Sequence, residues 1–391
     1  MRHLLTTVFV IVSAMLTAQI NVNWDESYGG EGNDEARSVI QLRDGNFLLV
    51  GYTESQGAGK KDGWAVKVSP TGEQLWDMAY GGQSDDELFD AVELPDGKLA
   101  MVGYTKSMGA GKSDFWLVIT DKEGDQNWEK TYGGPKDDGA QAVLLSYDGK
   151  LVISGYTKSR GAGNRDYWVI KVNQDGVDKE QGKIIWKRNT GGKKADFPSV
   201  AYQSPYDSAY YVLGVTTSFG NGSADAWLIR VLEPRGMVKG KKFFGGKLYE
   251  YGNDFRFTDE KGFFVVGATM TNSKGLFDGW VIRLNDEYDS YYSKTFGGEK
   301  EDKFMSVVKA DDKKYLIAGF TASKGEGEYD GWLMMMTEKG VPLWQTTVGD
   351  VKSEKIYKII KTKSGNYLVC GSTTSKGEGK KDMWVVSFNI N

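Results

Sequence analysis

A chain of 391 residues with 49 Lys and Arg against 53 Asp and Glu carries a formal net charge of −4, both signs interspersed, and so has no overall electrostatic footprint for nucleic acid or an anionic membrane. One histidine, His3, and one cysteine, Cys370, exclude an internal disulfide and leave everything past the first residues without His-based acid–base catalysis, Ser-His-Asp or Cys-His nucleophiles, or His-ligated metals. The 51 glycines and only 7 prolines suit many short strands joined by tight turns.

The first element in chain order is a leader. MRHLLTTVFVIVSAMLTAQ has a basic start at Arg2, an apolar run from Leu4 to Leu16 and small residues at Thr17-Ala18-Gln19, the layout of a secretory signal peptide over 1–18. The apolar run is short for a membrane anchor. An exported protein, periplasmic or secreted and not inserted in a membrane after cleavage, is the expectation.

A repeat follows. Asp-x-Trp recurs at Asp62/Trp64, Asp114/Trp116, Asp166/Trp168, Asp225/Trp227, Asp278/Trp280, Asp330/Trp332 and Asp382/Trp384, with 52, 52, 59, 53, 52 and 52 residues between successive aspartates. A threonine stands nine residues before each aspartate (Thr53 to Thr373) and a glycine three before it (Gly59 to Gly379). Each unit opens on a glycine pair, from Gly29-Gly30 to Gly297-Gly298, except the last, Gly349-Asp350. A tryptophan precedes most pairs by five residues, with Gly240 and Tyr292 in its place in two units.

Within the second unit, alternation and turn signals predict strands at Leu88–Leu94, Leu99–Thr105, Phe115–Thr120 and Asn127–Tyr132. Four strands in about 50 residues, seven times over, predict an all-β, seven-bladed β-propeller of four-stranded antiparallel blades, one domain over 19–391. Residues 20–28 match a fourth strand while the chain stops after a third, so the N-terminal strand is expected to complete the last blade and remove its open edge.

The segment Thr71-Gly72-Glu73-Gln74-Leu75-Trp76, with a glycine pair after it, resembles the Trp-bearing motif of quinoprotein-type propeller repeats, although Val68 stands where those repeats usually have an acid. The longer pattern, W-x4-GG through G-Y-T-x-S-x-G-x-G-x-x-D-x-W, is similar to repeats of secreted bacterial propellers and covers nearly all of the chain after the leader. The resemblance implies the fold. By analogy with exported propellers of envelope complexes, it also implies a protein partner, such as an outer-membrane protein-translocation complex of which this chain would be a soluble subunit or cap.

GAGKS before Asp114 is not a phosphate loop, because Lys106 stands where a Walker motif needs glycine and a strand follows instead of a helix. The equivalent loops keep glycine and aspartate and vary the rest, so these aspartates read as turn acceptors and the tryptophans as blade-to-blade packing. A single carboxylate per blade is a poor calcium cage. Four residues after the glycine pair comes a second acidic set, Asp34, Asp86, Asp138, Asp196, Glu250, Asp302 and Glu354, placed to ring one mouth of the channel on the Gly-rich-loop face. Two readings stand: a ring that attracts a cation or a Lys/Arg-bearing partner, or side chains that bond turn amides and neighbouring blades.

The repeat breaks at Asn173–Lys183, with Asp178, Lys179 and Glu180 at its centre, and at Ser204–Ser208, with Tyr206 and Asp207. Both turns belong on the opposite face, as partner contacts or as tolerated insertions. No catalytic residue, cofactor or metal is expected. The function read from the sequence is a non-catalytic interaction platform; a lectin-like glycan binder, a polysaccharide lyase using Tyr, Lys and Arg, and a quinoprotein-like dehydrogenase are the rivals.

Overall fold

The computed structural model describes residues 20–174 and 181–390; the leader predicted over 1–18 lies outside the described residues. Among the described residues, twenty-eight strands form seven four-stranded antiparallel sheets, the blades of a β-propeller. In the first blade the order from the axis outward is Asp34–Gln41, Phe47–Thr53, Asp62–Val68 and Gln74–Tyr80. Each inner strand touches the inner strand of the next blade, and Glu354–Lys361 closes the ring on Asp34–Gln41. The second blade begins two residues earlier than its sequence reading at Asp86 and otherwise follows it closely. Ile20–Tyr28 is the outer strand of the last blade, paired antiparallel with Asp382–Ile390 from Ile20↔Ile390 to Tyr28↔Met383, so the expected closure is observed.

The middle strands of each blade are buried on both faces, because a blade is sandwiched between two others; Phe47–Thr53 and Asp62–Val68 have no exposed residue. Their near-continuous apolar composition follows from that position. Each Asp-x-Trp tryptophan crosses to the blade before it. Phe115 and Trp168 lie 4.5 Å apart and Tyr167 and Trp227 4.6 Å between ring centroids, and a Cβ on Gly279 would lie 3.0 Å from the ring of Trp332. Where the partner is Gly63, the ring of Trp116 fills the space, and a Cβ there would lie 2.8 Å from it. Burial of a ring this size contributes about 1.5–3 kcal/mol, which makes these seven side chains the main cement between blades.

The outer tryptophans have a different task. Trp24 packs over Gly72 in the turn between third and fourth strands of the next blade, where a Cβ would lie 2.9 Å from the indole and φ is +88°. Its Nε1 donates to the Pro70 carbonyl (2.9 Å), and the Tyr28 hydroxyl donates to the Gly72 carbonyl (2.6 Å). Tyr80 and Tyr132 repeat that bond on Gly124 and Gly182, both 2.7 Å. The Thr-Gly turn and the Trp before the glycine pair are thus two halves of one inter-blade joint.

Every inner strand carries a register shift after its third residue, at Ala36/Ser38 in the first blade and Ile356/Lys358 in the last. A β-bulge re-aims the extra side chain, and here the extra residues face the axis.

Candidate functional site

The seven acids of the second set open the inner strands on the Gly-rich-loop face, as the sequence places them. They do not present a carboxylate ring to solvent: Asp34, Asp86, Asp138, Asp196 and Asp302 are 0% exposed, and Glu250 and Glu354 1%. Asp138 shows why. Its Oδ2 accepts from Gly134 N (2.8 Å) and Ser159 Oγ (2.6 Å), and its Oδ1 from Lys158 N (3.1 Å) and Ser159 N (3.3 Å). Glu250 makes the same set with its longer arm, from Gly246 N (2.6 Å), Thr269 Oγ1 (2.9 Å) and Thr271 N (3.2 Å). The reading as a cation- or partner-attracting ring is therefore corrected. These carboxylates are spent on loop donors, and a buried carboxylate bonded this way is a fixed structural acceptor.

The Asp-x-Trp aspartates are turn acceptors, as expected. Gly59 N donates to Asp62 (2.8 Å), Gly111 N to Asp114 (2.9 Å), Gly163 N to Asp166 (3.1 Å) and Gly222 N to Asp225 (3.0 Å). Lys274 N serves Asp278 (3.1 Å), Gly327 N Asp330 (3.0 Å) and Gly379 N Asp382 (3.1 Å). Burial pushes each of these carboxyls above its ordinary value, and the acid that opens the next inner strand adds to the rise. Among the described residues no three His, Cys, Asp or Glu side chains come together as a metal site.

What occupies the axis is a set the sequence reading passed over. The bulged residues Arg37, Phe89, Gln141, Ser199, Asn253, Met305 and Tyr357, one from each blade, line a central cavity of about 480 Å³. The residues that follow them bring Asp90, Asp254 and Lys358 into the same cavity. Asp90 accepts from Ser38 Oγ (2.9 Å) and Val143 N (3.1 Å), tying three blades together. Asp254 accepts from Tyr202 OH (2.8 Å), Ser306 Oγ (2.8 Å) and Val307 N (3.1 Å), and pairs with Arg256 at 2.7 Å.

The Lys358 ammonium has neither a hydrogen bond nor an ion pair among the described residues. Burial alone would lower its pKa, but Tyr202, Asp254 and Asp90 outweigh that and raise it, so the ammonium faces the cavity charged. Asp254 is held low despite burial, chiefly by Arg256 and then Lys358. Burial prevails at Asp90, whose carboxyl is raised. The channel thus offers an ammonium with three donors and no fixed acceptor.

Above it, the mouth on the Gly-rich-loop face is lined by half-buried cations set on aromatic rings. The Arg165 guanidinium stands 4.7 Å from the Tyr156 centroid and 4.2 Å from that of Phe197. Lys355 Nζ lies 3.7 Å from the Tyr329 ring, Lys61 Nζ 3.8 Å from Tyr52 and Lys303 Nζ 4.6 Å from Phe277. Arg37 pairs with Glu35 and, at 3.8 Å, with Glu87, while its Nε is buried without a partner. These side chains neighbour the repeat's fixed Thr and Asp positions, so strand ends aim them.

On the opposite face, Asp178, Lys179 and Glu180 lie outside the described residues. Tyr206 is 43% exposed, yet its hydroxyl donates to the Thr258 carbonyl of the next blade (2.6 Å) and its ring meets Phe257 edge-on at 6.3 Å. Asp207 pairs with Arg230 (2.6 Å) and accepts from Tyr211 OH (3.1 Å). This turn latches two blades.

The fold and its axial cavity define a seven-bladed β-propeller. No family model matches the chain. It is similar to the regulatory protein FlaEY of Caulobacter vibrioides, 22% identical over 350 residues, which cover 74% of this chain and 36% of the relative; the chain spans about a third of that relative's length. Among solved structures it is similar to the Pan2 WD40 domain of Neurospora crassa, with a TM-score of 0.57, 10% identity and coverage of 95% and 97% of the two chains. It also resembles BBS1N in complex with ARL6DN (TM-score 0.55, 11% identity, 96% and 97% covered). Drosophila Plexin A in complex with Semaphorin 1b is a third (TM-score 0.54, 9% identity, 95% and 88% covered). At these identities the likeness is one of fold.

Proposed function

We propose that this chain is an exported, non-catalytic propeller that serves as a protein-interaction platform and meets its partner over the channel mouth. The observation that carries this reading is the mouth itself, with Arg165 between Tyr156 and Phe197 and Lys355 over Tyr329. Arg and aromatic side chains held rigid and partly desolvated are the usual anchors of protein interfaces. Two of the solved propellers it resembles are described in complex with another protein, in keeping with that use. Export rests on the leader read over 1–18. The resemblance to envelope propellers favours a soluble subunit or cap of an outer-membrane protein-translocation complex, in the periplasm or outside the cell. Protein tagged in its native cell and purified from envelope extracts is expected to bring a stoichiometric companion that an Arg165→Ser, Lys355→Ser variant releases. Recovery of a lone monomer would sink the platform reading.

A second reading has its own observation. Tyr202, Arg256 and Lys358 come together at the axis around Asp254, and such groups can serve as acid and base without histidine. Acidic glycans are the ligands this cavity suits, in a lectin-like binder or a polysaccharide lyase. Incubation with polyuronates separates the two: unsaturated products seen by ultraviolet absorbance mark a lyase, and binding without turnover a lectin.

A further inference from the structure

The tryptophan of each Asp-x-Trp pair needs an acceptor for its Nε1 where the third strand meets the outer one. Five blades supply it from the same register position of the outer strand: Asp77 for Trp64 (3.1 Å), Glu129 for Trp116 (2.8 Å), Ser293 for Trp280 (2.7 Å), Gln345 for Trp332 (3.2 Å) and Asp25 for Trp384 (2.8 Å). In the third and fourth blades that position holds Lys187, opposite Ile170, and Lys241, opposite Ile229. Trp227 is fully buried and its Nε1 has no partner. Lys241 Nζ stands 5.8 Å from its ring, and Arg160 takes a similar place 5.9 Å from Trp168. Two adjacent blades have exchanged an acceptor for a cation, and in the fourth the buried indole donor has no partner among the described residues.

The exchange belongs to a wider asymmetry. Residues 183–247 hold 11 Lys and Arg against 4 Asp and Glu, in a chain where acids outnumber bases, and Asp196 and Asp225 among those four are buried. Lys187, Arg188, Lys193, Lys194, Lys239 and Lys241 are exposed, and none makes an ion pair among the described residues. Lysine on an edge strand is an ordinary guard against edge-to-edge pairing. That need is the same at all seven edges, yet Ile20–Tyr28, Gln74–Tyr80 and Pro342–Val348 carry no cation at all. Exposed apolar groups accompany the charge: Lys241 and Phe243 share one face of their strand, and Ile185 is exposed at a bulge two residues before Lys187. Both strands are outermost in their sheets, so one side of each backbone is unpaired.

We propose that the outer edge of the third and fourth blades docks an extended acidic protein segment, which pairs with an open strand edge and sets carboxylates on Lys187 and Lys241 and apolar side chains on Ile185 and Phe243. Charge complementarity calls for an anion, and the open backbone edge calls for a polypeptide, since neither a nucleic acid nor a glycan can extend a β-ladder. This edge is separate from the channel mouth, so its failure leaves the reading above untouched. The test is fluorescence anisotropy of a labelled peptide of alternating glutamate and valine, titrated with the full folded chain. Wild type is expected to bind it saturably and more weakly as salt rises. Lys187→Glu with Lys241→Glu is expected to lose about tenfold or more in affinity, and Phe243→Ser to weaken binding as well. Thermal melts control for folding, and Lys187→Gln with Lys241→Gln replaces the reversed pair if that variant does not fold. No binding by wild type, or binding unchanged in the lysine variants, overturns the proposal. So does duplex DNA or polygalacturonate binding as tightly as the peptide and indifferent to Phe243→Ser.

Discussion

Asp62 and Asp86, from neighbouring blades, hold their carboxylates on the two sides of Gly81: a Cβ on that glycine would lie 2.7 Å from Asp62 Oδ1 and 2.5 Å from Asp86 Oδ2. The same arrangement recurs around Gly29, Gly245 and Gly297, and in the last unit around Gly349. Two acidic motifs that look separate in the sequence are one inter-blade device, and the first glycine of each pair is its spacer. The second glycine lies against a single Ser or Thr of the adjoining loop, Ser107 in the case of Gly82, and the last unit carries Asp350 at that position while keeping Gly349. Gly81→Ala is therefore expected to cost about 1–3 kcal/mol or more through forced displacement of two bonded acids, and Gly82→Asp, which copies the last unit, clearly less. Paired urea melts measure the difference; equal losses would refute the spacer role.

These pairs also set a pH dependence. The Asp-x-Trp carboxyls have folded pKa values raised above 3.8 by burial and then by the neighbouring acid, so the folded chain binds protons more tightly than the unfolded one in that window. Stability is expected to rise as pH falls from 7 towards about 4. Below that both states are protonated at these sites and the gain ends. Acids held low by partners, such as Asp137 by its bond from Lys158 and Glu301 chiefly by its bond from Lys303 against burial, then lose their contribution. A melting temperature that falls steadily from pH 7 downward contradicts this. Asp166→Asn keeps an acceptor for Gly163 N and is expected to be neutral or mildly stabilising at pH 7. Asp138→Asn places an amide among four donors and is expected to cost about 1.5–3 kcal/mol.

Closure gives a sharper single-atom test. The Tyr28 hydroxyl joins the last blade to the first through the Gly72 carbonyl. Tyr28→Phe removes only that oxygen and leaves a buried carbonyl without its donor, so a loss of about 1–2 kcal/mol is expected. Trp24→Ala empties the packing over Gly72 and should cost more, about 3–5 kcal/mol if the site cannot collapse. Denaturation that proceeds in two stages in either variant would show the seam opening before the other blades.

Much of this was legible in the sequence because each repeated letter has an inter-blade duty: Trp116 on Gly63, Trp24 on Gly72, Gly81 between two acids. A fixed period exposes such duties even without knowing them. The acidic ring left two readings open for a physical reason. Radius and face follow from position in the repeat, but exposure depends on what a neighbouring loop donates, and Ser159 Oγ and Gly134 N reach Asp138 from two other segments. The axial residues were missed for the opposite reason. Arg37, Phe89, Gln141, Ser199, Asn253, Met305 and Tyr357 form a column in which no two residues agree, so a search for regularity discards it. The bulge that aims them also breaks the two-residue alternation of each inner strand, so a period-two reading does not place them on the axis. A column of full variety, three residues past an unvarying acid, is the signal that would have found them.

Lys358 offers the last test, because its charge serves two acids at once. Replacing it by methionine removes the ammonium near Asp90 and Asp254 while keeping most of the side-chain volume. Asp254 keeps Arg256 at 2.7 Å, so the effect should fall mainly on Asp90, which is held by the neutral donors Ser38 Oγ, Val143 N and Ala91 N and has no ion pair among the described residues. Its carboxyl, already raised by burial, is expected to rise further. The variant should lose stability at pH 7, where Asp90 must stay ionised or take up a proton at a cost, and recover part of the loss as pH falls and the proton is supplied. Adding Asp90→Asn to Lys358→Met is expected to abolish that pH-dependent recovery and restore stability at pH 7. If instead Lys358→Met melts at the wild-type temperature throughout, the ammonium does not compensate Asp90, and its role is confined to whatever enters the channel.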